Sequence, residues 1–493
     1  MIQKGFRSAR WVAVLAVLLS CFVQAACTTG IDDRPDLRAA LERYRHEFVK
    51  MHPGEALPAS DPEYHLFAGT MRLVLAAYVN PTNPHLLIDR ALEGLWERKE
   101  SDPAASLHAL TESAIDRMLA GLDPYSSFLD VEHVNDLREQ IHGEFAGLGI
   151  DVAMDDRTGF LRVVSSSADS PAARAGVRSG DLIVMIDGQQ VKGLTLSDAA
   201  TRVRRGPVGR PVNLQVLRPD SSVPVRVSLI RTVLKVRPIA FHLERDIAYI
   251  SIAYFSEQTG QYLTEAVESM RRQAGGQLAG AVLDLRNNPG GLLEQGVKVA
   301  GQFLGPAEIV STRGRAAATQ HYHSGEFRDL LRGAPLVVLI NGFSSSAAEI
   351  VAGALQDYGR ALLMGTRSYG KGSVQTIFWL HGGEGIRLTT AHYFRPSGAL
   401  VECYGISPNV EIVPPPATRN LLSAAMAGRI LPDREACDPA GVPPPPKTWP
   451  AADLCPEVSG MATDVESGLK RDLPVECAFA AIRTRRLESA MRR

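Results

Sequence analysis

Charge of one sign is the first thing this chain lacks. Its 493 residues carry 53 Lys and Arg against 54 Asp and Glu, a formal net charge of -1. A nucleic-acid binder usually carries a basic excess on one face, so that class is set aside. Long hydrophobic runs are missing too: beyond the N-terminus no stretch reaches the roughly 20 apolar residues of a membrane-spanning helix. Cysteine is scarce, six in all, and the spacing fits no compact zinc site. His321 and His323 alternate without a cysteine or carboxylate at ligand spacing and read as surface residues. No metal and no cofactor is expected. What is present, 45% hydrophobic and 22% charged residues, is ordinary for a folded protein, with chain enough for roughly two to four domains.

Residues 1–26 read as a secretory signal peptide. Lys4, Arg7 and Arg10 precede an apolar core over 11–19 that is short for a bilayer, and small residues follow at Ala25 and Ala26. Leu18-Leu19-Ser20-Cys21 partly resembles a bacterial lipoprotein box. Gln24-Ala25-Ala26-Cys27 fits it less well, whereas Val23-Gln24-Ala25 suits ordinary signal peptidase. The expectation is export to a bacterial periplasm, with a lipid anchor at Cys21 or Cys27 left open. Cys403, Cys437, Cys455 and Cys477 agree with an oxidising compartment. Four cysteines allow three pairings, and the sequence does not choose among them.

Residues 27–60 are polar and proline-containing and read as a linker with a short helix. In the N-terminal helical region, 61–142, Phe67, Met71, Val74, Leu75 and Tyr78 recur at helical spacing. The pattern resumes over 86–96 and 107–119. Leu122-Asp123-Pro124-Tyr125-Ser126-Ser127-Phe128-Leu129 then reads as a helix stop and turn with a structural role. Within an α/β core at 234–415, a strand is expected at 247–252 and a helix at 259–273. The apolar run Gly280-Ala281-Val282-Leu283-Asp284-Leu285 suits a buried strand. It ends in Arg286-Asn287-Asn288-Pro289-Gly290-Gly291, where glycines permit close backbone approach, and a helix follows at 292–303. Residues 416–493 form a Pro- and Cys-containing tail of poor periodicity.

The chemistry concentrates in two segments. Asn341-Gly342-Phe343-Ser344-Ser345-Ser346-Ala347-Ala348-Glu349 places hydroxyl residues at a turn between an apolar strand (335–340) and a helix (347–355). Ser368-Tyr369-Gly370-Lys371-Gly372-Ser373-Val374-Gln375 follows. A serine at a strand-to-helix corner is exposed and faces the positive end of a helix dipole. A lysine between glycines can be held close to another group without crowding. Together they suggest a serine nucleophile with a lysine base. The alternative is a capped helix and a surface loop, since all three serines are good N-cap residues.

These segments resemble the active-site motifs of the C-terminal processing peptidases, or tail-specific proteases, where the serine lies in a Ser-Ala-Ser-Ala-Ser-Glu-like run and the lysine in a Phe-Gly-Lys-Gly-Ser-Val-Gln-like run. The resemblance implies Ser346 as nucleophile, Lys371 as base and Gln375 as the residue that orients the lysine. Ala348 and Ser345 depart from the pattern, and three adjacent serines make Ser344 the fallback nucleophile. The Asp-Leu-Arg-Asn-Asn-Pro-Gly-Gly motif implies an oxyanion hole from backbone donors at Gly290 and Gly291 together with the amide of Ala347. Residues 143–233 resemble a PDZ domain. Phe145-Ala146-Gly147-Leu148-Gly149-Ile150 is similar to its carboxylate-binding loop, and Ala175-Gly176-Val177-Arg178-Ser179-Gly180-Asp181 follows at the right distance. Amides at Gly147, Leu148, Gly149 and Ile150 would nest a peptide's terminal carboxylate while the peptide adds as a strand. The resemblance spans about residues 65–413. It implies a ClpP/crotonase-like α/β protease core with an inserted, β-rich PDZ domain, and an endopeptidase acting on proteins with apolar C-termini. An adaptor or homodimer contact through the N-terminal helices stays open. Two other readings stand beside it: a catalytically silent PDZ adaptor, and a crotonase-like acyl-thioester enzyme.

Overall fold

A computed structural model of the chain describes residues 34–51, then 61–413 apart from short breaks at 156, 168–169, 195–198, 200–201, 204–207, 220, 222, 236, 317 and 381, then 445–456 and 472–484. The expected signal peptide, Cys21, Cys27 and Cys437 lie outside these residues. Among the described residues no helix is long and apolar enough to cross a membrane.

Four helices open the chain: Pro35–Lys50, Pro62–Ala77, Pro84–Ser101 and Leu107–Ala120. Three of them begin at side-chain caps. Asp61 accepts the Tyr64 N–H, Asn83 the His85 N–H and Ser106 the Ala109 N–H, which satisfies donors that the first helical turn leaves open. Proline at the first turn suits three of the four starts. Of the segment expected as a linker with a short helix, 16 residues form the helix Pro35–Lys50, which packs into the bundle core. Charged residues hide its apolar stripe. Leu37, Leu41, Tyr44 and Phe48 recur on one face and are buried, with the Tyr44 ring stacked on Phe67 at 3.5 Å between centroids.

The turn after the fourth helix leads into the strand Ser127–Leu129, which pairs antiparallel with Gly385–Phe394, Ser127 opposite Arg387. Phe128, Ile386 and Leu388 share the core of the helical bundle. The start of the chain is thereby docked on the strand that follows the lysine motif. Gly385–Phe394 also pairs with Ser373–Trp379 and with Glu308–Gly314, in a five-stranded sheet completed by Gln320–His323.

A separate antiparallel sheet runs in the order Ile150–Met154, Leu161–Ser166, Leu182–Ile186, Pro211–Leu217, Val225–Ile230, with Gln189–Gln190 paired to the middle strand. Leu161, Val163, Ile183, Val212, Leu214 and Val216 alternate inward to form its core. Ile150–Met154 lies at the edge, paired on one side alone. The ribbon of Glu144–Gly147 with Thr232–Lys235 ties the two chain crossings together.

The main sheet has six strands in the order Ile239–Glu244, Ile247–Ile252, Gly280–Asp284, Leu336–Ile340, Leu362–Gly365, Val410–Glu411. The first pair is antiparallel and the rest are parallel. Gly280–Asp284 and Leu336–Ile340 are buried at every position, as central parallel strands covered on both faces should be. The helices Thr259–Gln273, Leu293–Leu304 and Ala347–Asp357 cover one face through Leu263, Val267, Phe303, Val351 and Leu355. The tail, read as poorly periodic, covers the other face. Helix Leu473–Arg483 lays Phe479, Ala481 and Ile482 on Val282, Val337, Leu339 and Met364, and Cys455–Cys477 bonds it to the short helix Ala451–Leu454. Gly280 is required there, since a Cβ on it would lie 2.6 Å from the Ile482 side chain.

Candidate active site

The strands Gly280–Asp284 and Leu336–Ile340 run parallel and adjacent, so the turns that leave them meet at one end of the sheet. Polar contacts stitch the turns together. The Ser345 N–H donates to the Asn288 carbonyl at 2.9 Å, and the Ser344 hydroxyl to the Leu285 carbonyl at 2.8 Å. The Asn341 amide donates to Asn287 Oδ1 at 2.9 Å, and the Asn287 N–H to Asn341 Oδ1 at 3.0 Å. These bonds separate the three serines. Ser344 is fully buried and its hydroxyl is engaged, and Ser345 is buried as well. Ser346 is the partly exposed one, at the N-cap of Ala347–Asp357 with φ of 56° and ψ of -118°. Positive φ costs a β-carbon residue on the order of 1–3 kcal/mol and is characteristic of nucleophile turns.

Gly290 lies directly against that turn: a Cβ on it would be 2.6 Å from the Ser346 Cβ and 3.1 Å from the Ala347 nitrogen. The Gly291 backbone in turn packs on Phe255, whose carbonyl oxygen would be 2.2 Å from an added Cβ. The two glycines differ as donors. The Gly290 N–H is engaged by Asn288 Oδ1 at 2.8 Å, whereas among the described residues no acceptor meets the N–H of Gly291 or of Ala347.

The lysine loop is held by glycines for steric reasons. A Cβ at Gly370 would be 3.0 Å from the Cys403 backbone, and one at Gly372 would be 2.1 Å from the Glu402 nitrogen. Cys403 is disulfide-bonded, with its partner outside the described residues. Lys371 is partly buried, and its amine lies 4.5 Å from the centre of the Tyr125 ring. Burial foremost, then the Arg387 guanidinium, pull the amine below its ordinary pKa; Glu402, Asp123 and Glu349 pull the other way without reversing the shift. None of these carboxylates makes an ion pair with it. Ser346 and Lys371 are not hydrogen-bonded to each other in this state, and the Gln375 amide donates to Ser373 Oγ at 3.0 Å rather than meeting the lysine.

Two residues that sequence reasoning gave no role, Glu349 and Tyr393, join the two motifs, and a third, Glu402, holds the lysine loop. Glu349 is fully buried. Its carboxylate accepts the Ser346 N–H at 2.9 Å, the Ser368 hydroxyl at 2.5 Å, the Gly370 N–H at 2.7 Å and the Lys371 N–H at 3.0 Å. Burial pushes its carboxyl up to about 7 against these four donors. The Tyr393 hydroxyl bridges the carbonyls of Ser346 and Lys371. Glu402 accepts the Gly372 N–H at 2.7 Å, and burial raises its carboxyl to about 7. The spacing Ser346-x-x-Glu349 carried a signal, that of a capping box; the other contacts are long-range and left none. His392 sits opposite Ser373 with Nδ1 buried and unpartnered, and no hydrogen bond joins it to Ser346 or Lys371. His321 is exposed and pairs with Glu308.

In the small sheet, Gly149 has φ of 74°, and a Cβ there would lie 2.2 Å from the Ser170 Cβ. The Leu148 carbonyl accepts the Ala172 N–H at 3.0 Å and the Gly149 carbonyl the Ser167 N–H at 2.9 Å. The loop 147–150 is thus clamped over the helix Pro171–Arg174 and feeds the open edge strand.

This arrangement of sheets and turns agrees with the comparisons to known proteins. A family model described as peptidase family S41 matches residues 246–412, and one described as a PDZ domain matches 162–218. The chain is 45% identical over 307 residues to a carboxy-terminal-processing protease of Bartonella bacilliformis, covering 62% of this chain and 70% of that one. It is 34% identical over 362 residues to a carboxyl-terminal-processing protease of a Synechocystis species, covering 72% and 82%. A solved photosystem II D1 C-terminal processing protease aligns at 30% identity with a TM-score of 0.44, covering 71% and 93%. These matches define a serine-type peptidase that carries a PDZ domain. The chain belongs to peptidase family S41, among the carboxy-terminal-processing proteases.

Proposed function

We propose that this chain is an exported endopeptidase that grips the apolar C-terminus of a protein substrate with its PDZ domain and cleaves it with Ser346 and Lys371. The observation that carries the reading is the presence, on one buried carboxylate, Glu349, of the single accessible, strained serine of the triplet and of a partly buried lysine whose pKa is lowered. A neutral amine is a base; burial supplies the neutrality. Lys371 takes the Ser346 proton as Oγ attacks the carbonyl carbon, then gives that proton to the leaving amine as the C–N bond breaks. Water repeats the sequence on the acyl-enzyme: Lys371 takes its proton, and Ser346 leaves with it. The N–H groups of Ala347 and Gly291 would receive the oxyanion, each worth several kcal/mol in the transition state. Bringing the amine from the Tyr125 ring to Ser346 is the change that substrate binding has to cause, and catalytic hydrogen bonds commonly tighten only in the complex. Gln375 would hold the amine once it has moved.

The PDZ loop at Gly147, Leu148, Gly149 and Ile150 would receive the terminal carboxylate, and the edge strand Ile150–Met154 would pair with the substrate tail. The test is cleavage of an unstructured reporter with an apolar C-terminus. Wild type cuts; Ser346→Ala and Lys371→Ala do not. Binding of the tail without cleavage by the wild type would favour the silent adaptor instead. Deletion of 145–232 should abolish tail selectivity, and unchanged selectivity would remove the PDZ domain from the reading.

A further inference from the structure

Arg286, at the start of the turn that backs onto Ser346, is gripped from two directions. From its own strand, Asp284 accepts from Nε at 2.9 Å and from Nη2 at 2.5 Å, and Asp284 is itself fixed by the Tyr249 hydroxyl at 2.7 Å. From the tail, Asp472 takes the other edge of the guanidinium as a fork: Nη1 to Oδ1 at 2.7 Å and Nη2 to Oδ2 at 2.8 Å. A fork fixes the plane of a guanidinium as well as neutralising it. Asp472 stands at the N-cap of Leu473–Arg483, and that helix is itself immobilised. Its apolar face is buried on the main sheet, and Cys477, in its second turn, is bonded to Cys455. The family match ends at residue 412, so this second grip comes from a part of the chain outside it.

We propose that Asp472 is a positioning residue for peptide-bond hydrolysis. The tail reaches through Arg286 to the turn 287–291 and sets its register against Ser346. This rests on Ser346 as nucleophile and on the turn as the oxyanion site. A purely structural role predicts a different outcome. Asp472 is half exposed, with a side chain 49% accessible, and Asp284 continues to neutralise the arginine without it. Loss of the pair therefore leaves melting near wild type, while the guanidinium, and the backbone that follows it, gain freedom to tilt. The effect should appear in turnover rather than in melting or in substrate capture, which the proposed function assigns to the PDZ loop.

The experiment measures kcat, KM and melting temperature on the tail-bearing reporter for the full chain and for Asp472→Asn, Asp472→Ala, Asp472→Glu and Ser346→Ala. The expected result is a loss in kcat of about fivefold or more for Asn and Ala, with KM within about twofold, because sub-ångström errors at the reacting centre act on kcat. Melting stays near wild type, and Glu, which keeps the carboxylate, recovers most of the rate. Unchanged kcat in Asn and Ala, with Ser346→Ala inactive, overturns the proposal and leaves the Ser/Lys reading intact. A kcat loss that merely follows a lower melting temperature, and that Glu does not recover, also overturns it. Cleavage by Ser346→Ala removes the reading beneath the proposal, and the proposal with it.

Discussion

Gly290→Ala is the substitution that most directly tests the approach of the two turns. The added Cβ would be 2.6 Å from the Ser346 Cβ, 2.9 Å from the Ser345 oxygen and 3.1 Å from the Ala347 nitrogen. Carbon atoms settle at about 3.5–4.0 Å, so relief requires the turns to part by about 1 Å. A displacement of that size at a reacting centre costs about 100-fold in rate. Strain adds to the clash, because φ at Gly290 is 100°, but it can be measured separately. Gly333 has φ of 84° and nothing within 4 Å of its Cβ position. Gly333→Ala should therefore lose about 1–3 kcal/mol of stability from strain, lowering the melting temperature by about 2–4 °C per kcal/mol, and keep its kcat. Gly290→Ala should melt at least as low and lose about 100-fold in kcat on the reporter. If Gly290→Ala turns over within threefold or so of wild type, the turn does not approach Ser346 in the working enzyme and the reasoning fails.

Other consequences are equally concrete. Ser344→Ala should keep substantial cleavage but lose about 1–3 kcal/mol of stability, because it removes the bond to the Leu285 carbonyl and the acceptor of the Asn341 N–H; a dead Ser344→Ala beside an active Ser346→Ala would reverse the assignment. The Lys371 amine is held below its ordinary pKa, so kcat/KM should rise with pH as the amine loses its proton. Glu402 favours the ammonium form, and Glu402→Gln should therefore move that rise to lower pH; a shift to higher pH would contradict the electrostatic assignment. The Cys455–Cys477 bond spans a sequence separation of 22, and the chain-entropy relation gives about 3 kcal/mol for such a loop. Reduction, or Cys455→Ser with Cys477→Ser, should lower the melting temperature accordingly, and an unchanged melt would mean that the tail packs without its staple.

The core was legible where local pattern and tertiary demand agree. The helix Thr259–Gln273 and the strand Ile247–Ile252 stand where apolar periodicity puts them, and the serine and lysine motifs stand at turns bounded by apolar strands. Legibility failed where the decisive partner is distant in sequence. Nothing in Leu122-Asp123-Pro124-Tyr125 announces that the Tyr125 ring will lie on the Lys371 amine, and a structural role was the expectation. The packing role of the helix Pro35–Lys50, expected as a short helix within a linker, is concealed by the charges between its apolar positions. Its stripe gains meaning only from the bundle it faces. The tail misled in the opposite way. Short helices among prolines have weak periodicity, and what fixes them is a disulfide and a sheet face made from residues up to about 230 positions earlier.

The placement of the tail also orders the birth of the molecule. Chains emerge N-terminus first, and domains tend to form as they appear. The helical bundle and the PDZ sheet can close on residues already made. The main sheet cannot, for the face carrying Val282, Val337, Leu339 and Met364 is covered by Phe479 and Ile482, which are made well after it. Until then the sheet is a half-covered layer, and Arg286 lacks its second carboxylate.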